Sequence, residues 1–172
     1  MPVEVRAIDH EEESYEEIAM APWIYQAESA TFEKPKKYLH FKALYLKSFI
    51  DGKPLTKMIV DGEATVNLMP YSTFRKLGKR VEDLCPTDMG LTNFSGNITV
   101  TKGAMCVELT IGSKSLPTTL FVDDAKGTYN ILLGRDWIHA NCCIPSTMHQ
   151  SLIQWIADTV EIVLANSSIN IL

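Results

Sequence analysis

The chain has 172 residues, 46% hydrophobic and 22% charged, with a formal net charge of −5, an ordinary composition for a globular chain with one buried core. No apolar run reaches the roughly 18 residues that span a bilayer, and the N-terminus is acidic where a secretory signal is basic and then apolar, so the expectation is a cytosolic or nuclear protein without membrane contact. The charge excess lies wholly in residues 1–40, which hold nine acids and four bases; the neutral remainder has no basic stripe of the kind that binds nucleic acid.

Residues 1–37 read as an acidic linker. Glu11-Glu12-Glu13, Glu16 and Glu17 favour solvent, although Ser14 and Glu17 have capping-box spacing for a short helix around 15–20. From Tyr38 the character changes to short apolar segments with turn signals about every ten residues, the rhythm of an all-β domain, here placed at 38–165. Asp51-Gly52 suits a type I′ hairpin, whose two central residues both need positive φ. Pro70 before and Gly78 after Tyr71–Leu77 bracket a short helix. Gly112-Ser113 marks a second hairpin whose first arm alternates Met105, Val107, Leu109 and Ile111 with polar or small residues, which leaves one face apolar. A second helix is expected over Arg135–Ala140, and a last hairpin joins Leu152–Ile156 to Val160–Leu164. Residues 166–172 read as a tail.

The cysteines, Cys85, Cys106, Cys142 and Cys143, lack CxxC spacing and read as reduced thiols. Cys142 and Cys143 with His139 and His149 match no common zinc pattern, so neither a metal nor a cofactor is expected.

Asp61 is the residue that calls for chemistry. It follows the apolar run Met58-Ile59-Val60 directly, and a carboxylate beside a core strand costs several kcal/mol unless it is paired or hydrogen-bonded. Val60-Asp61-Gly62-Glu63-Ala64 resembles the hydrophobic-Asp-Thr/Ser-Gly-Ala signature of the retropepsin-like aspartic proteases. Asn130-Ile131-Leu132-Leu133-Gly134-Arg135-Asp136-Trp137-Ile138 resembles that family's closing Ile-Leu-Gly-x-Asp-Trp-Leu segment. Val66–Ser72 and Gly134–Asn141 look most like plant gypsy-type retrotransposon polyproteins. The resemblance implies a mainly β, closed acid-protease barrel with one or two short helices, one protomer of a two-fold homodimer. It further implies Asp61 as the catalytic carboxylate, Leu133 and Gly134 as its structural support, and a flap tip at Ser95, Gly96 and Asn97 closing over an extended peptide. Gly134 reads either as the point where the aspartate loop crosses a strand or as a plain turn glycine.

Aspartic proteolysis needs two carboxylates about 3 Å apart sharing one proton. Only Asp61 follows an apolar strand in that way: Asp123-Asp124 reads as a polar loop and Asp136 as a helix start. A dimer with Asp61 from each protomer is therefore required. Two departures weaken the signature. Gly62 lacks the hydroxyl that clamps the two loops together, and Glu63 stands where the family has Gly. A turn reserved for Gly would charge Glu63 roughly 1–2 kcal/mol in strain, and its repulsion of Asp61 at 4 Å would run from about 1 kcal/mol in water to about 4 kcal/mol at an effective dielectric of 20. The expected function is a weakened or inactive aspartic endopeptidase; the rival is a non-catalytic dimerisation or peptide-binding module on the same fold.

Overall fold

A computed structural model of the chain describes residues 3–6, 24–27, 29–34, 42–88, 90–92, 96, 98–124 and 126–166. The short helix expected around 15–20 lies outside them. In chain order the strands are β1 (Val3–Arg6), β2 (Ile24–Ala27), β3 (Ser29–Phe32), β4 (Leu44–Ile50), β5 (Lys53–Val60) and β6 (Leu68–Pro70), then helix α1 (Tyr71–Lys76). There follow β7 (Gly90–Thr92), β8 (Ile98–Val100), β9 (Gly103–Ile111), β10 (Lys114–Asp123), β11 (Ile131–Leu133), helix α2 (Arg135–Asn141), β12 (Cys143–Ser146), β13 (Ser151–Ile156) and β14 (Thr159–Leu164).

Six strands close into a barrel in the order β10-β6-β11-β5-β4-β9, which removes the unpaired edges that an open sheet would expose. The hairpins form where turn chemistry places them. Asp51 and Gly52 take φ of 47° and 79° between β4 and β5, and the Asp51 carboxylate also accepts the Glu108 amide at 2.9 Å, tying this turn to β9. Gly112, at φ 62°, turns β9 into β10. The alternation of β9 puts Met105, Val107, Leu109 and Ile111 inside and leaves Cys106 and Glu108 outside. Helix α1 runs from Pro70 to a C-cap at Leu77, and Gly78 follows at φ 75° with its amide on the Arg75 carbonyl. The barrel interior is filled by Leu44, Leu46, Met58, Met69, Leu120, Ile131 and Leu133, with Phe74 of α1 sealing one end.

β6 and β11 carry the barrel's parallel pairings. β6 runs parallel to β10, with Phe121 opposite Leu68, and β11 runs parallel to β5, with Leu133 opposite Val60. Asp123 ends β10 and is buried, although the sequence reads Asp123-Asp124 as a polar loop. Asp124 is exposed and pairs with Lys102 at 3.5 Å. The correction has a simple cause: β10 extends one residue past its apolar run because β6 pairs with it as far as Asp123 opposite Pro70.

The second sheet has the order β12-β13-β14-β2. Residues 24–27 and 29–34, read as part of the acidic linker, take part in this structure. β2 pairs antiparallel with β14, and β3 brings Ala30 and Phe32 into a small apolar cluster with Ile153, Val160, Trp155 and Ile162. His149 fastens the same segment, with its Nε2 2.6 Å from the Glu33 carbonyl oxygen and its ring 5.1 Å from that of Phe32. Asn166, placed by sequence in the tail, is buried, and its amide donates to the Tyr45 carbonyl at 2.8 Å.

Between the two sheets lies a buried carboxylate. Glu161 on β14 is fully buried and accepts from the Ser113 amide at 3.2 Å, the Ser113 hydroxyl at 2.8 Å and the Gln154 side-chain amide at 2.7 Å. Gln154 also donates to the Ile111 carbonyl and accepts from Asn141 of α2, each at 2.8 Å. Buried polar groups of this kind stabilise only when every member is satisfied. Glu161→Ala leaves two or three buried donors without an acceptor, and the expected loss is about 2–4 kcal/mol of folding free energy. Urea denaturation checks this; an unchanged midpoint would show that the network does not hold the β9–β10 turn in place.

Candidate active site

The Asp61 loop is built by hydrogen bonds that leave few alternatives. The Asp61 amide donates to the Leu133 carbonyl at 2.9 Å, continuing the parallel β5–β11 ladder one residue past β5. The chain then turns: Ala64 N donates to the Asp61 carbonyl at 3.3 Å, and Glu63 N donates to Asp61 Oδ1 at 2.9 Å. The carboxylate thus closes a local turn of the Asx type. Asp61 and Ala64 are half-buried, and Gly62 and Glu63 are exposed.

Gly134 is a close-approach glycine. A Cβ built there would collide with the Val66 carbonyl oxygen and stand 2.8 Å from that of Ala64. Its own amide donates 3.0 Å to the side-chain oxygen of Asn67. Past it, Arg135 N donates to Ala64 O at 2.8 Å and Asp136 N to Thr65 O at 3.0 Å, so the first amides of α2 are satisfied by the Asp61 loop instead of by a side-chain cap. Asp136 lies in the first turn, as expected.

The expected strain at Glu63 does not occur. Glu63 is not among the residues with positive φ, so it adopts a conformation open to any L-residue, with its side chain in solvent. Gly62 is likewise undemanding: a Cβ there meets nothing within 4 Å.

Several residues of the site carry no role in the sequence reading. Asn67, almost fully buried, donates to the Thr119 carbonyl and to Asp136 Oδ2, each at 3.1 Å, besides accepting from Gly134; its signal is a lone amide inside the apolar run Val66–Met69. Arg135 reaches back over the loop, with Nη2 2.9 Å from Thr65 Oγ1 and Nη1 3.4 Å from the Gly62 carbonyl. Tyr129 stands near enough to feel the site. Burial, and then the negative charges of Asp123 and Asp61, push its phenol above the ordinary tyrosine value.

Of the proposed flap, β7 and β8 pair antiparallel with Leu91 opposite Thr99. Gly96, at φ 82°, lies between them, and Ile98 and Val100 are 72% and 74% exposed. Ser95 and Asn97 lie outside the described residues. A groove of about 800 Å³ bordered by Thr65, Val66, Arg135 and His139 adjoins the loop but does not reach Asp61. Among the described residues no group of three or more His, Cys, Asp or Glu side chains could hold a metal ion, and no helix is long and apolar enough to cross a membrane. Burial pushes the Cys143 thiol up to about 11.

No protein-family model and no curated protein matches the chain. Solved structures do. The retroviral protease-like domain of Ddi1 from Leishmania major superposes with a TM-score of 0.54 at 14% identity, over 76% of this chain and 98% of that one. The barrel has the retropepsin-like fold. The EIAV protease complexed with the inhibitor HBY-793 gives 0.48 at 20% identity over 60% of this chain and 92% of its own. A retropepsin-like aspartic protease from Rickettsia conorii gives 0.47 at 16% identity over 76% and 89%.

Two measurements test the geometry of the Asp61 loop. Gly134→Ala is expected to cost about 1–3 kcal/mol by overpacking, read as a lower denaturation midpoint. A wild-type midpoint would mean that Gly134 and the Ala64 and Val66 carbonyls do not approach so closely. Asp61→Asn should lower the Tyr129 ionisation, followed by ultraviolet titration, and Asp123→Asn should lower it further. The sign follows from the raised folded value: the neutral phenol favours the fold below about pH 10, and that contribution is lost as pH rises through the folded pKa.

Proposed function

We propose that the chain is an aspartic endopeptidase domain of a plant gypsy-type retrotransposon polyprotein, acting as a homodimer in the cytoplasm or nucleus on extended peptides, with its activity weakened by Gly62 and Glu63. The observation that carries this reading is the placement of Asp61. Its carboxylate follows β5 on a loop pinned by the Leu133 carbonyl and crossed closely by Gly134, the support the sequence motifs assign to a catalytic aspartate. The retropepsin-like fold is consistent with it.

One Asp61 per chain requires a second chain. With the two carboxylates brought together and sharing one proton, the ionised one takes a proton from water as the water attacks the scissile carbonyl, and the protonated one gives its proton to the carbonyl oxygen. Activity then belongs at mildly acidic pH, where the pair holds a single proton. The unobstructed space at Gly62 is where a hydroxyl would act in the family, and its absence leaves the two loops less firmly aligned. Misalignment of reacting groups is expensive in rate. The exposed β8 side chains Ile98 and Val100 offer apolar contacts to a bound strand.

The test is cleavage of a peptide library from roughly pH 4 to 7 by the full chain, by Asp61→Asn, and by the double variant Gly62→Thr with Glu63→Gly. Weak cleavage with an acidic optimum, abolished by Asp61→Asn and raised on the order of tenfold or more by the double variant, is the expected result. Gly62 and Glu63 also favour a second reading, a dimerisation module without chemistry. A dimer that cleaves nothing, even as the double variant, would establish that alternative.

A further inference from the structure

Glu63 has the properties of a recognition group as well as those of a defect. Its amide is bonded to Asp61 Oδ1 at 2.9 Å, so its side chain leaves the backbone at the rim of the carboxylate. The side chain is exposed and φ is unstrained, so nothing in the backbone forces it from that place. Its carboxylate has no hydrogen-bond or ion-pair partner among the described residues. The cation nearest in the loop's own bonding is spent elsewhere: Arg135 gives Nη2 to Thr65 and Nη1 to the Gly62 carbonyl. The loop therefore presents two carboxylates, Asp61 and Glu63, with no cation among the described residues paired to either.

We propose that Glu63 makes the Asp61 site selective for peptides that carry a lysine or arginine beside the bond presented to Asp61. This choice of substrate class rests on the reading of Asp61 as a catalytic carboxylate. An ammonium or guanidinium group next to the scissile bond meets an unpaired carboxylate and gains a charge-assisted hydrogen bond as peptide binding displaces water. A neutral side chain gains nothing there, and a glutamate or aspartate is repelled, so discrimination comes from attraction and exclusion together. The resembled family has Gly at this position, with no side chain to select, so the preference belongs to this chain. Two-fold symmetry would repeat Glu63 on the other side of the cut.

Three fluorescein-labelled decapeptides, identical except for Lys, Gln or Glu at one central position, test this with the full chain and with Glu63→Gln. Both cleavage rate and binding by fluorescence anisotropy are read, at low and high salt. The lysine peptide should be favoured over the glutamine one by about three- to tenfold and over the glutamate one by more. The preference should shrink with salt and vanish in Glu63→Gln. Equal treatment of the three peptides, or a preference that survives Glu63→Gln, overturns the proposal, as does a Glu63→Gln variant that merely cleaves all three faster. Lysine-selective binding without cleavage would uphold selectivity and defeat the proteolytic reading; cleavage without selectivity would do the reverse. Failure of all three peptides to bind or be cut would defeat both.

Discussion

The crossing of Gly134 beneath the Asp61 loop is the constraint on which the rest of the site depends. The Val66 and Ala64 carbonyls occupy the volume that a side chain at residue 134 would need. Because they do, the first amides of α2 fall within reach of Ala64 and Thr65, and the loop and the helix satisfy one another's backbone groups. Buried main-chain polar groups must find partners, and here a single close approach settles several of them together. Asn67 completes the junction by joining Gly134, Thr119 and Asp136 through one buried amide.

That arrangement separates two questions that the sequence alone joins. Glu63 in a glycine position suggests a deformed loop, yet the loop is built from backbone bonds that do not involve the side chains of residues 62 and 63, and neither residue is strained. What Gly62 and Glu63 change is the surface the loop offers, namely its hydroxyl and its charge. The scaffold that holds Asp61 is intact whatever the catalytic outcome, so effects of these two residues belong to recognition and pairing and not to folding.

Much of the fold is legible because its signals are local. Asp51-Gly52, Gly112-Ser113 and the Pro70–Gly78 bracket each determine a turn or helix through the φ values of one or two residues, and the alternation in β9 shows which face is inside. In the candidate site, the close approach of Gly134 to the Asp61 loop is legible because both residues sit in motifs. The parallel pairing of β6 with β10 is non-local and leaves no periodic trace, so Asp123 read as loop although that pairing carries it into the core. The bonds of Asn67 and Arg135 are not legible locally because their partners, Thr119, Gly134 and Asp136 for the one and Gly62 and Thr65 for the other, lie far away in sequence. Glu161 lies in the expected last hairpin, and only the packing of that hairpin against the β9–β10 turn encloses it.

The leader offers the clearest case of composition misleading. Its acidic residues favour solvent, but Ile24, Ala30 and Phe32 are apolar, and β2 and β3 place them against the C-terminal hairpin. The folded unit therefore begins no later than Ile24, although the barrel itself starts at Leu44. An excised fragment starting at Tyr38 would leave the β14 edge bare and open the apolar patch around Val160, creating a sticky strand on a surface the intact chain keeps covered. Loss of β2 and β3 by any cut in the chain thus turns a paired edge into one open to self-association.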